Sequence, residues 1–483
     1  MTGRPAKTTV ALACAALLLA SCAPVPSPTP AGSSPLVWVE CPPDVEAQFV
    51  SRHECGQLTV PQDHNSPAGP ALTLLVLKVW PVGVEPKPGV STSLGTNPGD
   101  RGAIGGDIAA GATRGRRISV NLMPRGTTSH GGTSLACPET DQAAGTATGD
   151  RDASVRAAFI DAIGACARRL RASGIEPALF SPAATIEDLE LLRAALGEDA
   201  WAGAGTYGTM SRAALQYLSR HPGRIDRLVL DSPGSAGLDP LTAGVVGLDS
   251  ALADLAADHP GLLTSWQEAL ATVGAQPLSG LSDGVQVTID DAKLVRLVRA
   301  ALGGDGPQHV GAVPAMIAAA ARGRLDSELA ALAADDPAFC AGYIPLCRGQ
   351  EDFALGSFLT DFCEQLPTDR TALEAAIAGR TAYEQVFARS PYEQACALWN
   401  VPHATPLSVE PTETPTLLMS GGLDSFSRPE WSRWLADRLG PSAWSVAIPG
   451  HTHNVLGSSE CAITLRDAWR DLSPAAPEVQ CDQ

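Results

Sequence analysis

The chain has 483 residues, 45% hydrophobic and 18% charged, with a formal net charge of −18. This balance describes a globular protein with a large core and excludes an intrinsically disordered chain. The acidity excludes charge-driven binding to nucleic acid or to an anionic bilayer.

In chain order, Arg4 and Lys7 precede an apolar run from Val10 to Ala20, which is too short to span a bilayer and reads as a targeting signal. Leu19-Ala20-Ser21-Cys22 is similar to a bacterial lipobox, so residues 1–21 are expected to be removed and Cys22 lipidated. Residues 22–35 read as a Pro/Ser-rich tether. Export would place the protein on the outer face of the cytoplasmic membrane or free outside the cell, and membrane contact would run only through the lipid.

Ten further cysteines remain: Cys41, Cys55, Cys137, Cys166, Cys340, Cys347, Cys363, Cys396, Cys461 and Cys481. An even number in an oxidising compartment favours disulfides. Spacing alone does not determine connectivity. The simplest assignment joins neighbours, 41–55, 137–166, 340–347, 363–396 and 461–481. No Cys/His spacing suits a metal, and no cofactor is expected.

Strands are predicted at Gln57–Pro61, Ala71–Trp80, Gly89–Asn97, Arg117–Met123 and Asp226–Asp231, with helices at 103–112, Ala153–Ser173 and Thr185–Leu196. Thr185 is the expected cap of the last helix, with Asp188 at capping-box spacing. Residues 238–400 read as helical, and strand signals return at Thr416–Ser420 and Ala443–Ile448, flanked by helices Pro429–Leu439 and Glu460–Leu472. Strands alternating with helices predict a mostly parallel sheet covered on both faces. The expected layout is core over 36–237, helical lid over 238–400 and core again over 401–483.

Ala204-Gly205-Thr206-Tyr207-Gly208-Thr209 sits between a predicted strand and a predicted helix. Small residues there suit a nucleophile elbow of pattern G-x-S-x-G, with Ala204 for the first Gly and Thr206 for the Ser. Ser211 lies too far into the helix to replace it. Asp424 follows one late strand and His453 the next, so elbow, acid and His occur in the triad order of α/β hydrolases. His451, two residues before His453, is the other histidine of this loop.

These residues, with Cys55 to Pro61, Asn97-Pro98-Gly99, Pro124 to Thr127, Leu228 to Asp231 and Val455 to Gly457, resemble the secreted actinobacterial tripeptidyl-aminopeptidase-like α/β hydrolases, which are related to prolyl aminopeptidases. The resemblance spans about Cys41 to Cys481. It implies the α/β-hydrolase fold with an inserted helical lid. It implies Thr206 as nucleophile, His453 as base and Asp424 as acid. The oxyanion donors would be the backbone N–H of Tyr207 and the loop at Gly99 and Asp100. The substrate would be a short peptide or small ester, with lid acids such as Glu351, Asp352 or Asp361 binding an amine.

The chain departs from the family pattern at several positions. Asp100-Arg101 replace Gly-Pro, Met123 replaces an Asp, Thr128 a Gly, Thr206 the Ser and Thr452 a Gly. A β-branched residue strongly avoids the left-handed backbone an elbow nucleophile usually needs. Two readings therefore stand: a hydrolase with a Thr-His-Asp triad, and an inactive homologue acting as a surface-tethered ligand- or peptide-binding protein.

Overall fold

The structure, a computed structural model, describes residues 34–47, 51–94, 115–127, 133–140, 153–235, 237–304, 307–335, 354–405, 407–471 and 481. Cys22, the 103–112 helix, Gly99, Asp100, Thr128, Cys340, Cys347, Glu351 and Asp352 lie outside the described residues.

The strands are β1 (Leu36–Val39), β2 (His53–Pro61), β3 (Ala71–Val79), β4 (Lys87–Ser93), β5 (Arg117–Leu122), β6 (Gly203–Tyr207), β7 (Leu228–Asp231), β8 (Leu278–Ser282), β9 (Val285–Ile289), β10 (Thr416–Gly421) and β11 (Ala443–Ile448). Nine of them form one sheet in the order β1-β2-β3-β5-β4-β6-β7-β10-β11. The β1 to β3 edge is antiparallel and joins β5 antiparallel; every pairing from β5 to β11 is parallel. Strands β7 and β10 are buried along their whole length, as expected for parallel strands covered on both sides.

Two apolar layers sandwich the sheet. On one face Ala204, Leu228, Leu230 and Leu418 pack with Leu189, Ala213 and Tyr217. On the other, Val229, Leu417, Met419 and Ile448 pack with Ala462, Leu465 and Trp469 of the last helix. Strand order, layers and a long insertion after β7 make this the α/β-hydrolase fold.

The insertion is more divided than its helical pattern predicts. Helices Pro240–Asp258, Leu262–Ala275, Asp291–Gly303 and Val313–Ala321 build a core of their own around Leu248, Trp266, Val298 and Ile317. Helices Leu355–Glu364 and Pro391–Trp399 instead bury Leu355, Leu359, Tyr392 and Trp399 in the core of the sheet. The insertion also holds a hairpin. Strands β8 and β9 pair antiparallel, and Asp283 and Gly284 between them both have positive φ (47° and 82°), which their short or absent side chains allow.

One helix start is corrected. The predicted Thr185–Leu196 helix begins at Pro182, and Ser181 is its cap, accepting from the Ala184 N–H at 3.3 Å. Ser181 before a Pro at the first helical position is the stronger start signal. Asp188 is therefore no capping-box acid. It is fully buried and takes a bidentate pair from Arg125, Nε at 2.7 Å and Nη2 at 2.6 Å. Arg125 Nη1 also donates to Gln62 O and Leu179 O, and Nη2 to Pro61 O. The pair thus ties the segment after β5 to the end of β2 and to this helix.

Among the described residues, four disulfides join the expected neighbours: Cys41–Cys55, Cys137–Cys166, Cys363–Cys396 and Cys461–Cys481. Cys363–Cys396 links the two insertion helices that pack on the sheet.

Candidate active site

Asp424 and His453 come together at the carboxyl ends of β10 and β11, where open parallel sheets place their chemistry. The approach depends on Gly421. A Cβ there would lie 2.1 Å from Thr452 O and 2.4 Å from His451 O, both backbone atoms that cannot swing aside. Without that Cβ, the acid loop and the His loop close on each other. Asp424 is fully buried. Its Oδ1 accepts from the N–H groups of Phe426 (2.7 Å) and Ser427 (3.0 Å), and its Oδ2 lies 2.9 Å from His453 Nδ1. An Nδ1–H donating to this fixed carboxylate leaves Nε2 as the basic nitrogen of the ring, the tautomer a general base requires. His451 points elsewhere, with its Nδ1 2.9 Å from Pro449 O.

Two supports for this pair were not evident in the sequence. Asp231, fully enclosed at the end of β7, accepts from the N–H groups of Val455 (3.1 Å) and Leu456 (2.9 Å), just past His453. Ser232, held at φ 47°, donates its hydroxyl to Asp231 and accepts from the Asn454 N–H at 3.0 Å. Burial pushes the Asp231 carboxyl up to about 6, against the hydrogen bonds that pull it down. The second support comes from the end of the insertion helix Asp291–Gly303. Thr452 Oγ1 donates to Gly304 O at 2.6 Å, Ser425 N–H to Leu302 O at 3.0 Å, and Ser425 Oγ to Arg299 O at 2.9 Å. Thr452 thus ties the His453 loop to the insertion.

Thr206 stands differently from an elbow nucleophile. Strand β6 stays regular through Tyr207, with Thr206 paired to Leu230 and Tyr207 to Asp231. The left-handed backbone falls at Gly208 (φ 61°), and Thr206 is outside that region, as its branched Cβ demands. Side chains alternate along a strand. Thr206 therefore shares the face of Ala204 and Leu230, while Tyr207 shares that of Asp231. The Tyr207 ring, edge-on at 6.2 Å between centroids, meets the His453 ring. Phe426 flanks the same ring at 5.7 Å.

A cavity of about 240 Å³ opens between the insertion and the sheet, with Phe426 in its wall. Asp361, the described member of the predicted lid acids, also lines it. Burial raises Asp361 to about 7 and neighbouring Glu364 to about 8, with Arg212 pulling both back. Of metal-ligand groupings among the described residues, one uses Cys41 and the other Cys137 and Cys166, all held in disulfides. Neither offers a thiolate.

The TAP-like protein family model matches residues 382–470, a stretch that contains both Asp424 and His453. No curated protein matched. Among solved structures, the chain is similar to a proline iminopeptidase from Mycobacterium smegmatis (15% identity, 86% of this chain and 95% of that chain, TM-score 0.37). It is also similar to a thermophilic esterase from Thermogutta terrifontis (14%, 84% and 95%, TM-score 0.33). A third is the 2-hydroxy-6-oxo-6-phenylhexa-2,4-dienoate hydrolase of Rhodococcus sp. strain RHA1 (11%, 87% and 99%, TM-score 0.34). Likenesses at this level carry no argument about substrate.

Proposed function

We propose that the protein is an α/β hydrolase acting on short peptides or small esters. The observation that carries this reading is the Asp424–His453 pair, 2.9 Å apart, buried and beside the end of β6. A buried carboxylate that orients an imidazole is what general-base catalysis of acyl transfer needs. In this reading His453 takes the proton of the Thr206 hydroxyl, Asp424 steadies the imidazolium that results, and the acyl-enzyme is then hydrolysed. Tyr207 N–H and the Gly99–Asp100 loop would hold the oxyanion.

The strand geometry at Thr206 favours a second reading, a ligand-binding protein that retains the pocket without turnover. That reading rests on Thr206 standing on the β6 face opposite Tyr207, whose ring meets His453.

Protein lacking residues 1–22 should be assayed on p-nitrophenyl acetate and on aminoacyl- and tripeptidyl-anilides. Natural activity that disappears in His453→Ala supports the hydrolase. Activity appearing only in Thr206→Ser supports the binding protein, and silence from both the natural protein and Thr206→Ser refutes the peptidase reading.

We infer export with lipidation at Cys22. The four disulfides support an oxidising compartment. A Cys22→Ala chain that stays membrane-bound would refute the anchor.

A further inference from the structure

The cavity beside Phe426 is charged in the opposite sense to the protein. The chain carries a net −18, yet the described lining holds four guanidinium groups, Arg156, Arg212, Arg296 and Arg299, against two carboxylates, Asp239 and Asp361. Asp239 is engaged as a helix cap, accepting from the N–H groups of Leu241 and Thr242. Asp361 is opposed by Arg212 and accepts from Gln365 Nε2 at 2.8 Å. The Arg299 guanidinium carbon lies over the Phe426 ring, 4.0 Å from its centroid.

Two polar groups independently point to a missing ligand. Ser211, 2% exposed, lines the cavity, and its hydroxyl has no hydrogen-bond partner among the described residues. Arg212 Nε, also in the lining, has none there either, although its Nη2 donates to Thr405 O at 3.1 Å. Buried polar groups are ordinarily satisfied, so a hydroxyl and a guanidinium N–H left so at one cavity suggest an absent acceptor. The rest of the wall is apolar and aromatic, with Phe358 and Tyr392 packed edge to face at 5.7 Å.

We propose that this cavity binds a carboxylate-bearing ligand with an apolar or aromatic body, its carboxylate held by the arginine cluster and Ser211 and its body against the aromatic wall. Guanidinium groups are the natural partners of a carboxylate because their N–H forks match its two oxygens. This deepens the hydrolase reading and rests on it for one point only: Phe426, shared by the cavity and the His453 ring, puts the bound group next to the reacting bond. The preferred substrate is then an acid, such as a short peptide or half-ester with a free carboxylate, rather than one selected by its free amine.

The test is calorimetric titration of the His453→Ala protein, which cannot turn over through the proposed base, with N-acetylphenylalanine, its neutral amide, and the cationic phenylalanine amide. The acid is expected to bind at least about tenfold more tightly than the neutral amide, the worth of one charge-assisted hydrogen bond. The preference should shrink in high salt. It should also shrink in Arg212→Gln and in Arg296→Gln, each checked for an unchanged circular dichroism spectrum. Arg212 is half-buried, so its variant covers a failure of the buried Arg296 variant to fold. Equal binding of acid and amide, tightest binding of the cation, or no binding of any of the three overturns the proposal. Ester hydrolysis without the acid preference would leave the hydrolase reading standing and remove this one. Acid preference without any turnover would do the reverse.

Discussion

Glu364 and Asp361 sit one helical turn apart in the helix Leu355–Glu364, both buried, and burial is the dominant influence on each. Repulsion from Asp361 adds to the rise at Glu364, and Arg212 only partly offsets it. A folded pKa of about 8 against 4.5 for the ordinary group means that the folded chain holds a proton the unfolded chain releases. The sign follows. Stability from this group is fully present below pH 4.5 and is lost as pH rises to about 8. The distance from 4.5 to about 8 sets a ceiling of about 5 kcal/mol, at ~1.4 kcal/mol for each tenfold change in proton affinity. Local relaxation and sharing of one proton with Asp361 reduce that to an expected effect of about 2 kcal/mol. Glu364→Gln keeps the size and removes the charge. Urea denaturation at pH 5 and pH 8, followed by tryptophan fluorescence, gives the stability difference between the two pH values for each protein. The natural chain should lose about 2 kcal/mol more than the variant over this interval. Equal losses in both proteins would refute the reasoning, because Glu364 would then ionise as readily folded as unfolded.

Arg125→Leu should cost about 3–5 kcal/mol, since it takes the guanidinium fork from the buried Asp188 carboxylate and leaves it His64 Nε2, 2.8 Å from its Oδ1, and Arg125→Leu with Asp188→Leu should recover much of that loss in the same urea titration. A double variant no more stable than the single one would show that the backbone carbonyls, not the carboxylate, dominate. Gly421→Ala should separate the Asp424 and His453 loops, because the new methyl meets two backbone oxygens. The measurement is the downfield proton resonance of the His453 Nδ1–H, expected to vanish in the variant; its persistence would contradict the close approach.

Much of the frame was readable from local residues. Helix Pro429–Leu439 and strand Ala443–Ile448 have the limits expected from periodicity, and Gly-Gly before Asp424 and Gly450 before His453 mark the loops that carry the pair. The β8–β9 hairpin carries its own signal, Asp283-Gly284 between β-prone segments, set within an Ala-rich helical stretch that masks it. Thr185 and Asp188 matched a capping pattern by spacing alone, and Ser181 with Pro182 matched it better.

What the sequence determined by itself was order: strand, acid, strand, histidine, and cysteines close enough along the chain to join as neighbours. These depend on adjacent residues and short loops. Tertiary structure alone decided the environment of the site. Asp231 reaches Leu456 across 225 positions, and Thr452 reaches Gly304 across 148. No local pattern encodes such contacts, because they exist only once separate layers pack. The face that Thr206 presents is of the same kind, since alternation along β6 has no meaning until pairing with β7 establishes its register. The arginine-lined cavity likewise arises from helices and loops far apart in sequence, brought around one space by the insertion closing on the sheet.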